Sequence, residues 1–147
     1  MNIRVGMIAR TINALIPKFG KNIHDRPISK DKISGLHTVA VYSLGVGEVD
    51  NRGSSKIKET MFFRVEYISG PTLSAGEHHK NVAFIQTAVI DLINIERKTN
   101  DVNQNYLIHT VNWQGYDTSD EENEQRIEST LNFDVVYDYD RSLAHAD

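Results

Sequence analysis

Cysteine is absent from this 147-residue sequence, which excludes a disulfide framework and any thiolate metal site and suits a reducing compartment. Prolines number only three, so few positions forbid regular structure. No apolar run approaches the roughly 20 residues that a membrane helix needs. The first residues carry Arg4 and Arg10 inside an apolar pattern and lack the continuous hydrophobic core of a signal peptide. A soluble intracellular protein is therefore expected. What remains is ordinary for a folded domain, with 39% hydrophobic and 24% charged residues in a length that fits one domain with a real core.

Charge is distributed unevenly. Residues 1–35 hold seven Lys/Arg against Asp25 and Asp31, a net of +5, while residues 36–147 hold nine Lys/Arg against eighteen Asp/Glu, a net of −9. Together these give the overall −4. A basic leading segment on an acidic body suits head-to-tail contact between copies, positive patch against negative. Simple surface variation explains the split equally well. Nucleic-acid binding through a basic footprint is disfavoured, because the body would repel phosphate.

The clearest local pattern lies near the C-terminus. Ile127, Ser129, Leu131, Phe133, Val135 and Tyr137 take every second position, with Arg126, Glu128, Thr130, Asn132 and Asp134 between them. Successive strand residues point to opposite faces, so this is a strand with one buried and one wet face. Ile3, Met7, Ile8, Ile12, Leu15, Ile16 and Phe19 recur at helical spacing over residues 2–19, where Pro17 ends or kinks the helix and Gly20 reinforces the stop. Residues 22–35 read as an exposed connection with room for one short strand. A hairpin over 36–69 follows, its arms 36–44 and 57–69 joined by a polar, glycine-rich loop at 45–55.

A second helix spans 75–97 on a stripe of Val82, Ile85, Val89, Leu92 and Ile93, widened by Phe84 and Ala88. Strands over 106–113 and 126–137 form a second hairpin within 105–139, joined by an acidic loop from Asp117 to Glu124. Residues 140–147 have no core pattern and read as a mobile tail. The expected fold is one α+β domain: a single sheet of about four to five strands, antiparallel or mixed at most, with two helices on one face.

No grouping of catalytic residue types stands out. Glu77, His78 and His79 begin the second helix, but adjacent residues point about 100° apart on a helix and share one ion poorly. Two solvent-facing histidines are expected there. His24 and Asp25 could form half of an acid/base pair, yet no nucleophile accompanies them. His37 and His109 fall within strands as sheet-face residues. Asp117, Asp120, Glu121, Glu122 and Glu124 lack the regular ligand spacing and central glycine of a calcium loop, so a solvated loop is the simpler reading.

The whole-chain layout, with the helix Ile3–Phe19, hairpin strands around 39–44 and 61–68, the helix over 82–95 and the closing segment Leu131-Asn-Phe-Asp-Val-Val-Tyr137, resembles the tail terminator (tail completion) proteins of long-tailed bacteriophages. The resemblance implies a hexameric ring that caps the completed tail tube, stops its growth and offers a head-joining surface. Implied partners are copies of itself, the tail tube protein, a head-tail connector or neck protein, and genomic DNA passing the lumen without specific binding. No cofactor, metal, membrane contact or enzymatic activity is implied, and the place of action is the virion. Interface residues expected on this basis and from the charge split are Arg4, Arg10, Glu48, Asp50, Arg52, Asp120, Glu121, Glu122, Glu124, Asp138, Asp140 and Arg141. A head-closure or neck role stays open, as does a small intracellular α+β enzyme or adaptor without a recognisable motif.

Overall fold

A computed structural model describes the backbone of residues 3–51, 56–99, 106–121 and 126–140. Helix α1 spans Ile3–Phe19, followed by a two-residue strand β1 (Ile23–His24) and a 3-10 turn (Lys30–Lys32). Strands β2 (His37–Asn51) and β3 (Lys56–Ser69) form the first hairpin, helix α2 covers Ala75–Thr99, and β4 (Tyr106–Glu121) and β5 (Arg126–Asp140) form the second. The class is α+β, as the alternating patterns predict. Helix and hairpin limits differ from the sequence expectation by a residue or two, as helix and strand ends commonly do. Residues 141–147, including the expected tail and Arg141, lie outside the described residues, as do Arg52, Glu122 and Glu124.

The described strands form one sheet in the order β1-β2-β3-β5-β4. It is mixed rather than wholly antiparallel, because β1 runs parallel to β2 with Ile23 beside Val39. The fifth strand is the short one for which the 22–35 connection left room. Strand β5 lies between β3 and β4, so the two hairpins join edge to edge through Phe63↔Phe133 and its neighbours.

One face of the sheet is dry. Met61, Phe63, Val65 and Tyr67 from β3 and Leu131, Phe133, Val135 and Tyr137 from β5 are all essentially buried. Phe63 and Phe133 stack with ring centroids 5.1 Å apart and planes 15° apart. Helix α1 packs over β2 and helix α2 over β4 and β5, side by side on this face. Helix α1 contributes Met7, Leu15 and Phe19, one turn apart or two, with Thr11 on the same stripe donating its buried hydroxyl back to the Met7 carbonyl at 2.7 Å. Pro17 does not end α1. The helix runs to Phe19 and stops at Gly20, whose φ of 79° is the left-handed turn that glycine adopts without penalty, its N–H reaching the Ile16 carbonyl at 2.8 Å. Ser74 caps α2, accepting from the Glu77 N–H at 3.1 Å.

Two expected loops are strand instead. The region 45–51 continues β2, in register with β3 through Asn51↔Ile57. Its glycines do not break the ladder because the register shifts there, and Gly45 (φ 121°) takes up the irregular conformation at the first shift. Likewise Asp117, Asp120 and Glu121 belong to β4, with Asp117 opposite Thr130 and Glu121 opposite Arg126. Acids are tolerated in this strand because β4 is the sheet's outermost member, where exposed charge keeps an edge soluble. The connections 52–55 and 122–125 fall outside the described residues.

Candidate functional site

The expected interface residues fall into separate groups. Asp50, on β2, stands opposite Lys58 of β3, and Lys58 stands opposite Asp138 of β5, while Asp140 pairs in register with Lys56. At this end of the sheet, acids and lysines therefore alternate across three strands. Asp120 and Glu121 sit at the other end, opposite Ile127 and Arg126. Strand β3 has 14 residues, which puts roughly 45 Å between the two ends at about 3.3 Å per residue. Asp138 and Asp140 thus lie far from Asp120 and Glu121, while Asp134 and Asp117 stand between the two ends. Arg4 and Arg10 belong to α1, and Glu48 to β2.

Around Asp138 the geometry is set by an irregularity. The β4 register slips between Ile108 and Thr110, leaving His109 without an opposite residue. Its Nε2 lies 2.8 Å from Asp138 Oδ2. The approach is off the direction of a hydrogen bond, so the contact is electrostatic.

The face away from the helices is polar and cross-linked. The Tyr42 hydroxyl donates to Glu66 Oε1 at 2.6 Å, and the Ile28 N–H donates to Glu66 Oε2 at 3.3 Å, so the 25–34 connection laps onto this face. Burial, and then the hydrogen bond to Glu66, push the Tyr42 phenol up to about 12. Arg64 Nε donates to Asn132 Oδ1 at 3.0 Å, and Gln114 Nε2 to Asp134 Oδ1 at 2.9 Å. These pairs hold rotamers across neighbouring strands and present a fixed polar surface.

His78 corrects the sequence expectation. It is fully buried, whereas His79 is exposed. Its Nδ1 lies 2.8 Å from Ser69 Oγ and its Nε2 2.7 Å from Ser129 Oγ, which is also 2.8 Å from Thr118 Oγ1. A neutral imidazole donates through one nitrogen and accepts through the other, so both find partners. Ser69 and Ser129 are wholly buried too. A serine without access to solvent cannot attack a substrate; this trio clamps α2 to the sheet. The signal was in the sequence, since His78 stands four residues before Val82 on the buried stripe. Nearby, Asn81 Nδ2 donates to the Tyr67 hydroxyl at 2.8 Å, and His37 Nδ1 lies 2.8 Å from the same oxygen.

His24 and Asp25, set aside above for lack of a nucleophile, do not meet each other. His24 Nε2 lies 2.7 Å from Asn22 Oδ1, and Asp25 instead meets Arg26 Nε at 3.3 Å. His24, Asp25 and Arg26 line an exposed hollow of about 510 Å³, where the Ser29 hydroxyl is taken up by Asp31 at 2.6 Å. Among the described residues no three His, Cys, Asp or Glu side chains converge as a metal site, and no helix is long and apolar enough to cross a membrane.

Sequence reasoning missed a second groove, of about 340 Å³, along the outer edge of β2. Val5, Ile8, Ala9 and Ile12 of α1 line it together with Asp25, Tyr42 and Ser43. Val5 is 65% exposed, and Leu44, the next residue of β2, is 49% exposed. The available signal was the width of the apolar arc on α1, since Met7, Thr11, Leu15 and Phe19 are fully buried while Ile8 and Ile12 pack only partly against the core.

No protein-family model matches this sequence, and none of the curated proteins does. Among solved structures, a chain described as "Virion of native gene transfer agent (GTA) particle" is 12% identical with a TM-score of 0.48, over 89% of this chain and 91% of that one.

Proposed function

We propose that this chain is a structural subunit of a phage-type virion, a tail terminator that forms a ring on the end of the tail tube and offers a surface for head joining. One observation carries the reading: helix α1 and strand β4 bear opposite charge. Helix α1 beside β2 contains Arg4, Arg10 and Lys18 and no acid, whereas β4 contains Asp117, Asp120 and Glu121 and no Lys or Arg. Complementary surfaces on different parts of a subunit favour heterologous contact, and heterologous contact closes into rings when the rotation per subunit allows it. The pattern-level resemblance to tail terminators supplies the particular role. In such a ring the acid-rich 106–140 hairpin, where nine Asp/Glu accompany one Arg, would let DNA pass without adhering.

Solution mass is the first test. A six-membered ring of 16.7 kDa subunits is expected either free or on purified tail tubes. Addition of the protein to growing tubes should arrest their elongation. Tubes that lengthen unhindered at saturating protein would remove the terminator role.

A further inference from the structure

We infer that the joint where α1 and α2 close over one end of the sheet is a proton-sensitive latch, with His37 as its acid-labile link. The latch is independent of the ring reading above. Four elements meet there: Phe19 at the end of α1, His37 at the start of β2, Tyr67 near the end of β3 and Asn81 in the second turn of α2. Asn81 Nδ2 and His37 Nδ1 each lie 2.8 Å from the Tyr67 hydroxyl oxygen. Phe19 sets its ring edge-on to His37 at 5.1 Å and tilted to Tyr67 at 5.3 Å, so the end of α1 rests on both members of the pair.

The order of donors fixes one tautomer. An amide nitrogen only donates, so the Tyr67 oxygen accepts from Asn81. Tyr67 is wholly buried, and its one hydrogen finds an acceptor only if His37 Nδ1 carries a lone pair. Neutral His37 therefore bears its proton on Nε2. A second proton goes to Nδ1 and turns that acceptor into a donor. Two donors then face the Tyr67 oxygen, and its own hydrogen is left unmet in a closed layer, at the cost of desolvating a buried hydroxyl. No opposite charge offsets this loss. Among the described residues, Lys18 of α1 is the ionic group that acts on His37, and it repels a protonated ring; Glu77 of α2 acts on Tyr67 instead. His78 of α2 stacks on Tyr67 at 4.9 Å, but its two ring nitrogens are held by Ser69 and Ser129. Acid thus reaches the helix ends first, whereas the Phe63 and Phe133 stack in the middle of the sheet has nothing to titrate.

The test follows the isotope-labelled full-length protein by NMR between pH 7.5 and 5. Imidazole nitrogen shifts should show His37 as the Nε2–H tautomer at the upper pH. Amide protection at the end of α1 and in the second and third turns of α2 should fall by about tenfold on acidification, the worth of one hydrogen bond, with the middle of β3 and β5 unchanged. His37→Asn sets a carbonyl oxygen close to the position of Nδ1, so it still accepts from Tyr67 and takes up no proton; its protection at these helix ends should not change with pH. Tyr67→Phe removes the hydroxyl that opposes protonation and should raise the titration midpoint of His37. An Nδ1–H tautomer in the parent protein would overturn the latch, because no acceptor would then be lost in acid. The same would follow from protection that ignores pH in the parent protein, from an equal fall in His37→Asn, or from a midpoint unmoved in Tyr67→Phe. Protection lost evenly across helices and sheet would replace the latch with global unfolding.

Discussion

His78 and Ser129 lie 51 residues apart in the chain and meet at 2.7 Å in the closed layer between α2 and the sheet. The contact ties the first turn of α2 to β5, and Ser69 on the other ring nitrogen ties it to the end of β3. Replacing His78 by Leu strands two buried hydroxyls, although Ser129 keeps Thr118. A loss of about 2–4 kcal/mol is expected in chemical denaturation, from the unmet hydroxyls and imperfect packing. A loss below 1 kcal/mol would show that the trio is not a clamp.

Phe133 is 1% exposed, stacks on Phe63 and packs against Trp113 at 5.0 Å. Truncation to Ala should cost about 3–5 kcal/mol through lost burial and a cavity. An unchanged unfolding midpoint would contradict the face assignment of β5.

Stability should fall mildly as pH drops below about 6.5. Burial, and then the nearby Lys18, hold the His37 imidazole below its usual 6.5. Above that value the ring is neutral in both the folded and unfolded chain. As pH falls through it, the unfolded chain takes up the proton first, so stability is lost down to the lower folded value and then levels off. His37→Gln should flatten this part of the stability profile, as measured by urea midpoints between pH 7.5 and 5; an identical slope in the variant would assign the effect elsewhere.

Gly45 holds φ at 121° with nothing within 4 Å of where a Cβ would stand. Gly45→Ala should therefore cost about 1–2 kcal/mol from backbone strain alone, without a clash. A neutral result in thermal melts would mean that the bend relaxes freely.

Reversing Glu121, Glu122 and Glu124 to Lys should leave the melting temperature within a degree or two, since none of them belongs to the apolar stripes that build the core. In a phage-type particle it should impair DNA passage or head joining. Full infectivity with the triple variant would take these acids out of the mechanism.

Much of the fold was legible because burial imposes a period. Strands β3 and β5 and the stripe of α2 each present one dry face, and alternation or helical spacing records it. The far ends of β2 and β4 were not legible. Gly45 and Gly47 in one, and Asp117 and Asp120 in the other, look like loop residues; strand state there comes from pairing with a distant partner. The parallel contact of Ile23 with Val39 leaves no local trace at all. Of the candidate site, the charge split was readable and the place of its acids on the outermost strand β4 was not, because strand order depends on β5 entering between β3 and β4.

That insertion has a temporal consequence. Strand β5 is the last of the described strands to leave the ribosome, yet it supplies one side of both the β3 and β4 ladders. Until synthesis has passed Asp140, the first hairpin and the β4 segment cannot join, and the dry face of β3 waits with Phe63 and Tyr67 uncovered on that side. Non-local pairing of this kind slows folding and lengthens the exposure of sticky intermediates. Ribosome stalling within 126–140 would therefore leave a nascent chain that aggregates or recruits chaperones, whereas a stall inside α1 would leave little to protect.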